Sequence, residues 1–294
     1  MVSGTYYTWP PPPREIKIHL VLPASYDSTE PTLQLKTAKW GIIGRVAAVF
    51  RVDSISIFVD KASSWRSAQL GESVLRYMWT APYLRKFLFP KMPELAYAGI
   101  LPPLQLPTHG VGGPKPGETR QALVRRVKGV VALLEAGLGR EVEVQLPQGS
   151  RHIRRGTIVH VRIEEVDPPK LRIVDKPDVY TGFKVNIVRG GLKAVLMKFR
   201  KRGSSTVVLA TDRKGEMLVP EDLRYLANRR RATEVAVIFG APDLDLFELA
   251  ALEGFKLEDY VDAVLNTVPW QGTLTVRVEE ALAATLSLLN IALP

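Results

Sequence analysis

Leu265-Asn266-Thr267-Val268-Pro269-Trp270-Gln271-Gly272-Thr273-Leu274-Thr275-Val276-Arg277-Val278-Glu279-Glu280-Ala281 is the stretch on which the reading of this chain turns. An apolar strand, residues 260–265, runs into a loop of Asn, Thr, Pro, Gln and Gly, and an apolar helix follows over about 276–293. Such a loop concentrates backbone N–H and C=O groups in a few residues, and Gly272 permits close approach of a ligand. A loop at the carboxyl end of a strand, leading into a helix, is where open α/β sheets hold nucleotide-like ligands; it is also an ordinary β–α connection.

Upstream, two further strand-end loops have the same character. The strand 206–210 leads into Thr211-Asp212-Arg213-Lys214-Gly215-Glu216, and the strand 234–239 leads into Gly240-Ala241-Pro242-Asp243 before a helical segment at 244–252. Neighbouring parallel strands bring such loops together at one sheet edge. No G-x-G-x-x-G occurs in this part of the chain, so a dinucleotide-binding turn of that type is not expected.

The first hundred residues read β-α-β-α. Strands are expected at 16–22 and 55–59, and helices at 32–50 and 70–89, with Pro82 kinking or dividing the second helix. Five prolines and a Gly-rich run then fill 101–117, marking a boundary. Gly110-Val111-Gly112-Gly113 lacks G-K-[ST] and leads into no helix, which argues against a phosphate loop. Short apolar runs at 121–124, 129–134, 141–146, 156–163 and 171–174 suggest a small all-β barrel of the kind that often binds oligonucleotides; 130–136 also suits a short helix. From residue 180 the α/β pattern resumes.

Composition narrows the chemistry. Of 294 residues, 46% are hydrophobic and 24% charged, as in folded globular proteins. The absence of cysteine excludes disulfides, thiolate metal sites and a cysteine nucleophile. Four histidines without ligand spacing predict no metal site, and the apolar run 281–293 is too short to span a bilayer, so a cytoplasmic protein is expected. Net charge is +10, and residues 120–202 hold 19 Lys and Arg against 8 Asp and Glu, so the basic excess lies in the middle of the chain. A basic block of this kind is the footprint of a phosphate-backbone binder, or else a solvated surface. Arg151, Arg154, Arg155 and Arg162 lie on or beside the short strands and are the candidate RNA contacts.

The run Asn266–Ala281 resembles the last signature of the SPOUT methyltransferases, whose C-terminal half forms a trefoil knot around S-adenosylmethionine. Within that superfamily the chain is similar to the archaeal and eukaryotic branch with an inserted OB-like domain. Residues 17–25, K-I-H-L-V-L-P-A-S, and 84–90, L-R-K-F-L-F-P, extend the resemblance to nearly the whole chain. It implies an α/β knotted, mostly parallel sheet flanked by helices in two segments, 1–106 and 181–294, interrupted by an OB-like RNA-binding domain at 107–180. It further implies a homodimer that methylates RNA, with a ribosomal RNA nucleotide the expected target and uridine N3 the expected acceptor. The alternative is a non-catalytic RNA-binding or ribosome-assembly factor that keeps the knot. By the same resemblance, Thr211, Arg213, Gly240, Asn266, Thr267, Pro269, Gly272 and Thr273 hold the cofactor. Arg213 and Arg277 are the catalytic candidates, binding a target phosphate or orienting substrate. Trp270 stands where a smaller residue is expected, and would stack on a base or pack at a dimer contact.

Overall fold

The computed structural model describes residues 7–150, 152–203 and 205–293, which divide into two compact units. One comprises Arg14–Arg76, Pro93–Pro103 and 182–293; the other comprises 7–13, Tyr77–Met92 and Leu104–Thr181.

The first unit is built on a six-stranded, wholly parallel sheet. Its strands are β1 (Lys17–Pro23), β2 (Ser54–Phe58), β8 (Lys184–Val188), β9 (Thr206–Met217), β10 (Glu234–Phe239) and β11 (Ala263–Asn266). They lie in the order β11-β9-β10-β1-β2-β8. Parallel strands need helical crossovers, so both faces of the sheet are covered and its strands read as near-continuous apolar runs. Leu20, for example, lies between Ile55 and Val237, all three fully buried.

On one face Val21, Phe58, Val208, Ala210, Ala236 and Ile238 pack with helices α4 (Leu192–Arg200) and α6 (Leu246–Leu252). Helices α1 (Leu33–Val49), α5 (Pro220–Arg230) and α7 (Val278–Ala292) belong to the other group: α7 contacts α1 and α5, and α5 contacts β9. Beside α1, helix α2 (Trp65–Trp79) approaches so closely that a Cβ on Gly71 would stand 2.6 Å from the buried Trp40 ring. The Trp40 indole N–H is fixed by the fully buried Asp27, which also accepts from the Ser67 hydroxyl at 2.6 Å.

The second unit holds an antiparallel sheet of β3 (Thr119–Lys128), β4 (Val131–Glu135), β5 (Val142–Gln145), β6 (Ile158–Val166) and β7 (Pro169–Ile173). Its order is β5-β4-β3-β6-β7, with β5 and β7 in contact, which nearly closes it into a barrel. Alternate residues Ala132, Leu134, Val142, Val144, Val159, Val161 and Ile163 fill its interior. Helix α3 (Pro82–Leu88) adds Leu84 against Leu123.

Two local alternatives are corrected, and the expected break at Pro82 is found. Residues 130–136 form no helix; β4 alternates inward and outward and pairs with both β3 and β5. Pro82 divides the expected helix outright, because α2 stops at Trp79 and Pro82 begins α3, where its missing N–H costs nothing. Residues 211–216 are no free loop: β9 runs on to Met217, and β11 pairs with it on either side of a displaced segment.

His109 is a buried histidine of the antiparallel unit, with Nε2 2.8 Å from the Trp79 carbonyl. Burial lowers its pKa to about 4, against a smaller opposing effect of that carbonyl. The unfolded chain, with the ordinary value of 6.5, therefore binds more protons between those limits, and stability falls as pH drops through that window. Urea midpoints should show the loss, worth roughly 3 kcal/mol for this group, and His109→Gln should reduce the pH dependence between 6.5 and 4, leaving the part owed to His19, whose pKa burial also lowers to about 4.

Candidate active site

Strands β11, β9 and β10 are adjacent, so their carboxyl ends converge on one edge of the sheet. The junction of β9 and β11 shapes that edge. Val264 lies opposite Ala210, but the next residue, Leu265, lies opposite Glu216. Residues 211–215 thus leave the ladder and return to it. Gly215 makes the return possible, since a Cβ there would sit 2.7 Å from the backbone of Val264 and Leu265.

Asn266 ties this excursion to the last loop. Its side-chain amide donates to the Arg213 carbonyl at 3.1 Å, and its Oδ1 accepts from the Val268 N–H at 3.0 Å. Thr211 Oγ donates to Ile238 O at 3.0 Å, fixing the start of the excursion to β10. Thr267 is buried and shares a 2.9 Å hydroxyl–hydroxyl hydrogen bond with Thr285 of α7. The second loop closes by a capping box, in which Asp245 accepts from Glu248 N and Glu248 accepts from Asp245 N, each at 2.8 Å.

These loops surround a cavity of about 580 Å³. Thr211, Arg213, Gly240, Asn266, Thr267 and Arg277 line it together. Pro269, Gly272 and Thr273 stand outside the lining, in a loop that braces itself: Gln271 donates to Thr273 O and Leu274 O, and Thr273 to Thr275 O. That loop carries Trp270 at φ +54 and 89% exposed, beside Leu274 at 87%.

Several lining residues carry no motif. Thr29 and Glu30 precede α1, and Lys39 lies within it. Lys39, almost wholly buried, donates to Thr29 Oγ at 2.9 Å and Glu30 Oε1 at 3.2 Å, and lies over the Tyr26 ring at 4.8 Å. Its placement in an otherwise apolar helix face beside Trp40 is the available signal. Burial, the largest single effect, would raise the Glu30 pKa; hydrogen bonds from Lys39 and Thr29, with the charges of Lys39 and Arg277, together outweigh it and hold the carboxyl below its usual value. Tyr26 donates to Glu279 at 3.1 Å, and burial, reinforced by that carboxylate, keeps its hydroxyl protonated. Glu280 accepts from Arg277 N at 2.8 Å and closes the first turn of α7. Asp212 is raised, first by burial and then by the neighbouring Asp245. Lys214 bonds Asp245 at 2.6 Å, and Lys61 pairs with Asp243. The wall holds five carboxylates (Glu30, Asp212, Asp243, Asp245 and Glu248) against three cations, Lys39, Arg213 and Arg277.

Among the candidate RNA contacts, Arg151 lies outside the described residues. Arg154 and Arg155 are exposed between β5 and β6, whereas Arg162 is engaged by Asp178. The basic block is also divided between the two units. Arg125, Arg140 and Arg172 pair with Glu141, Asp167 and Glu164, and the residues from Lys184 to Arg202 belong to the parallel-sheet unit. Among the described residues no His, Asp or Glu cluster could hold a metal ion, and no helix is long and apolar enough to cross a membrane.

A parallel sheet whose strand-end loops enclose a polar cavity defines a ligand-binding α/β protein. The chain belongs to the family described as "Putative RNA methyltransferase", which it matches over residues 17–289. It is 35% identical to an uncharacterised protein of Haloarcula marismortui, over 87% of this chain and 92% of that one. It is 25% identical to the human 28S rRNA (uridine-N(3))-methyltransferase, over 94% of this chain and 78% of that protein. The Drosophila melanogaster protein of that name is also 25% identical, over 95% of this chain and 62% of its own length.

Asn266→Ala should free Val268 N–H and Arg213 O without touching the core. Hydrogen exchange at the Val268 amide should speed up about five- to tenfold, the equivalent of one hydrogen bond, with the melting temperature little changed.

Proposed function

We propose that this protein is a homodimeric, S-adenosylmethionine-dependent RNA methyltransferase of the SPOUT type, acting on N3 of a uridine in large-subunit ribosomal RNA. The observation that carries the reading is the convergence of Thr211, Arg213, Gly240, Asn266 and Thr267 on one cavity, within a chain of an RNA methyltransferase family. The relatives named as uridine-N3 methyltransferases support the acceptor.

The residues fit the cofactor. At about 580 Å³ the cavity is of the size that takes a ligand of this kind. Phe239, Ala241, Leu244 and Val268 offer apolar wall for a purine, and Gly240 and Asn266–Val268 offer backbone groups at the loop edges. When bound, the cofactor supplies an electrophilic methyl group. The chain's own part is to align the acceptor and to favour its reactive form. A uridine imide must lose its N3 proton before it attacks, and Arg213 and Arg277 favour the resulting anion.

A trefoil knot formed by the excursion at 211–215 and the loop at 266–275 belongs to the same reading. So does an OB-like identity for the insert at 107–180, supported by the barrel's strand order. Support for the dimer comes from α1, where Leu35, Ile42 and Val49 recur every seven residues along one stripe and are 46%, 45% and 56% exposed. Trp270 and Leu274, exposed on the loop after β11, are further apolar surface available to a second copy.

Calorimetric titration with S-adenosylmethionine tests the reading. Micromolar affinity, about −8 kcal/mol, is expected with one site per protomer. No heat from folded, dimeric protein would move the reading to a non-catalytic RNA-binding factor. With the cofactor bound, Arg213→Ala should slow methyl transfer by about tenfold or more, the scale of one lost transition-state contact, while RNA affinity in filter binding stays nearly constant. Equal losses in both assays would remove Arg213 from the catalytic role.

A further inference from the structure

The edge of the parallel sheet opposite the cavity is strongly basic. Helices α4 and α5 both end there, and each runs into a basic triplet: Arg200-Lys201-Arg202 and Arg229-Arg230-Arg231. Backbone bonds hold the two turns side by side. Thr233 N donates to Ser205 O at 2.9 Å, and Lys17 N donates to Thr233 O at 3.0 Å.

Local ion pairs account for half of these cations. Arg200 bonds Asp262 at 3.0 Å, Arg230 engages the same carboxylate, and Arg202 bonds Glu234 at 2.8 Å. Asp262 also accepts from Val208 N at 2.8 Å, so this pairing pins the helix ends to the sheet. Lys201, Arg229 and Arg231 are exposed, and among the described residues none of them makes an ion pair. Lys17 and Lys198 add exposed positive charge beside them. Of the other carboxylates on this edge, exposed Glu15 precedes β1 beside Lys17, Glu258 and Asp259 precede the edge strand β11, and Asp53 accepts from Ile18 N.

One or two basic residues would complement the dipole at each helix end. The arrangement goes further. Arg231 occupies a left-handed position, φ +48, that glycine or asparagine fills with less strain. The result is a compact set of uncompensated cations on rigid helix ends, the form in which proteins grip nucleic-acid phosphates. With β10 six residues long, the edge lies about 20 Å from the cavity by strand rise.

We propose that this amino-terminal sheet edge, through Lys201, Arg229 and Arg231, is a second RNA-contact surface that holds the phosphate backbone away from the nucleotide being modified. The proposal rests on RNA being the substrate. It is specific to the α/β unit, and independent of the arginines at 151–162.

Filter binding of a labelled large-subunit ribosomal RNA transcript across a salt series tests it. Three proteins are compared: the natural chain, the variant Lys201→Ser/Arg229→Ser/Arg231→Asn, and the like-charge variant Lys201→Arg/Arg229→Lys/Arg231→Lys. Loss of three phosphate contacts should lower the slope of log affinity against log salt by about 2, and reduce affinity by about tenfold or more near 0.1 M salt. The like-charge variant should keep both. Cofactor affinity, read by calorimetry, should be the same in all three, which reports that the cavity and fold are intact. Unchanged RNA affinity and slope in the neutral variant would overturn the proposal and leave the face to an acidic protein partner. A natural chain that binds no RNA at any salt would overturn the RNA reading itself. Loss of RNA binding by the like-charge variant as well, with the cofactor still bound, would show that charge is not what this edge contributes.

Discussion

At Gly215 there is no room for a side chain: a Cβ would stand 2.7 Å from backbone atoms of both Val264 and Leu265. This close approach lets β9 leave its ladder at Ala210, project residues 211–215, and rejoin β11 at Glu216. Glycine here is a packing requirement between two backbones. It brings the Thr211–Arg213 segment within reach of Asn266, and the Asn266 bonds then fix the wall of the cavity. Any side chain at 215 must widen the β9–β11 spacing, and with it the whole strand-end edge.

Behind the cavity lies a rigid polar support. Asp27, with no exposed surface, holds Trp40 and Ser67, and Trp40 in turn fills the space left by Gly71. Tyr26 joins the Lys39 side to the first turn of α7 through Glu279. Charged groups that would be costly if solitary, above all Lys39, are each given a partner. Their positions are therefore set by the core.

How far this was legible in the sequence depends on the kind of signal. The strand at 234–239 could be read to the residue because it is buried on both faces and bounded by polar turns. Pro82 could be read as a break, and the five short apolar runs between 121 and 174 as strands, from the Gly, Pro and charged clusters that separate them, although 130–136 also suited a helix. The return of β9 at 216 could not, because it depends on a backbone contact with residues fifty positions away. Glu30 and Lys39 reach the cavity through the same kind of long-range placement. The basic excess at 120–202 was visible as a count, but chain order mixes two units: many cations at 125–172 are neutralised by local carboxylates, and uncompensated charge gathers at helix ends near 201 and 231.

The late return of the chain to its own earlier strand has a consequence during synthesis. Residues 29–39 and 211–245 supply much of the cavity wall, but its closing contacts come from 266–281. Until β11 and the start of α7 have emerged from the ribosome, Asn266 cannot tie down Arg213 and Thr267 cannot meet Thr285. A nascent chain halted before residue 263 can fold its antiparallel barrel from local pairings. It would do so while the cavity still lacked the wall that residues 266–281 supply.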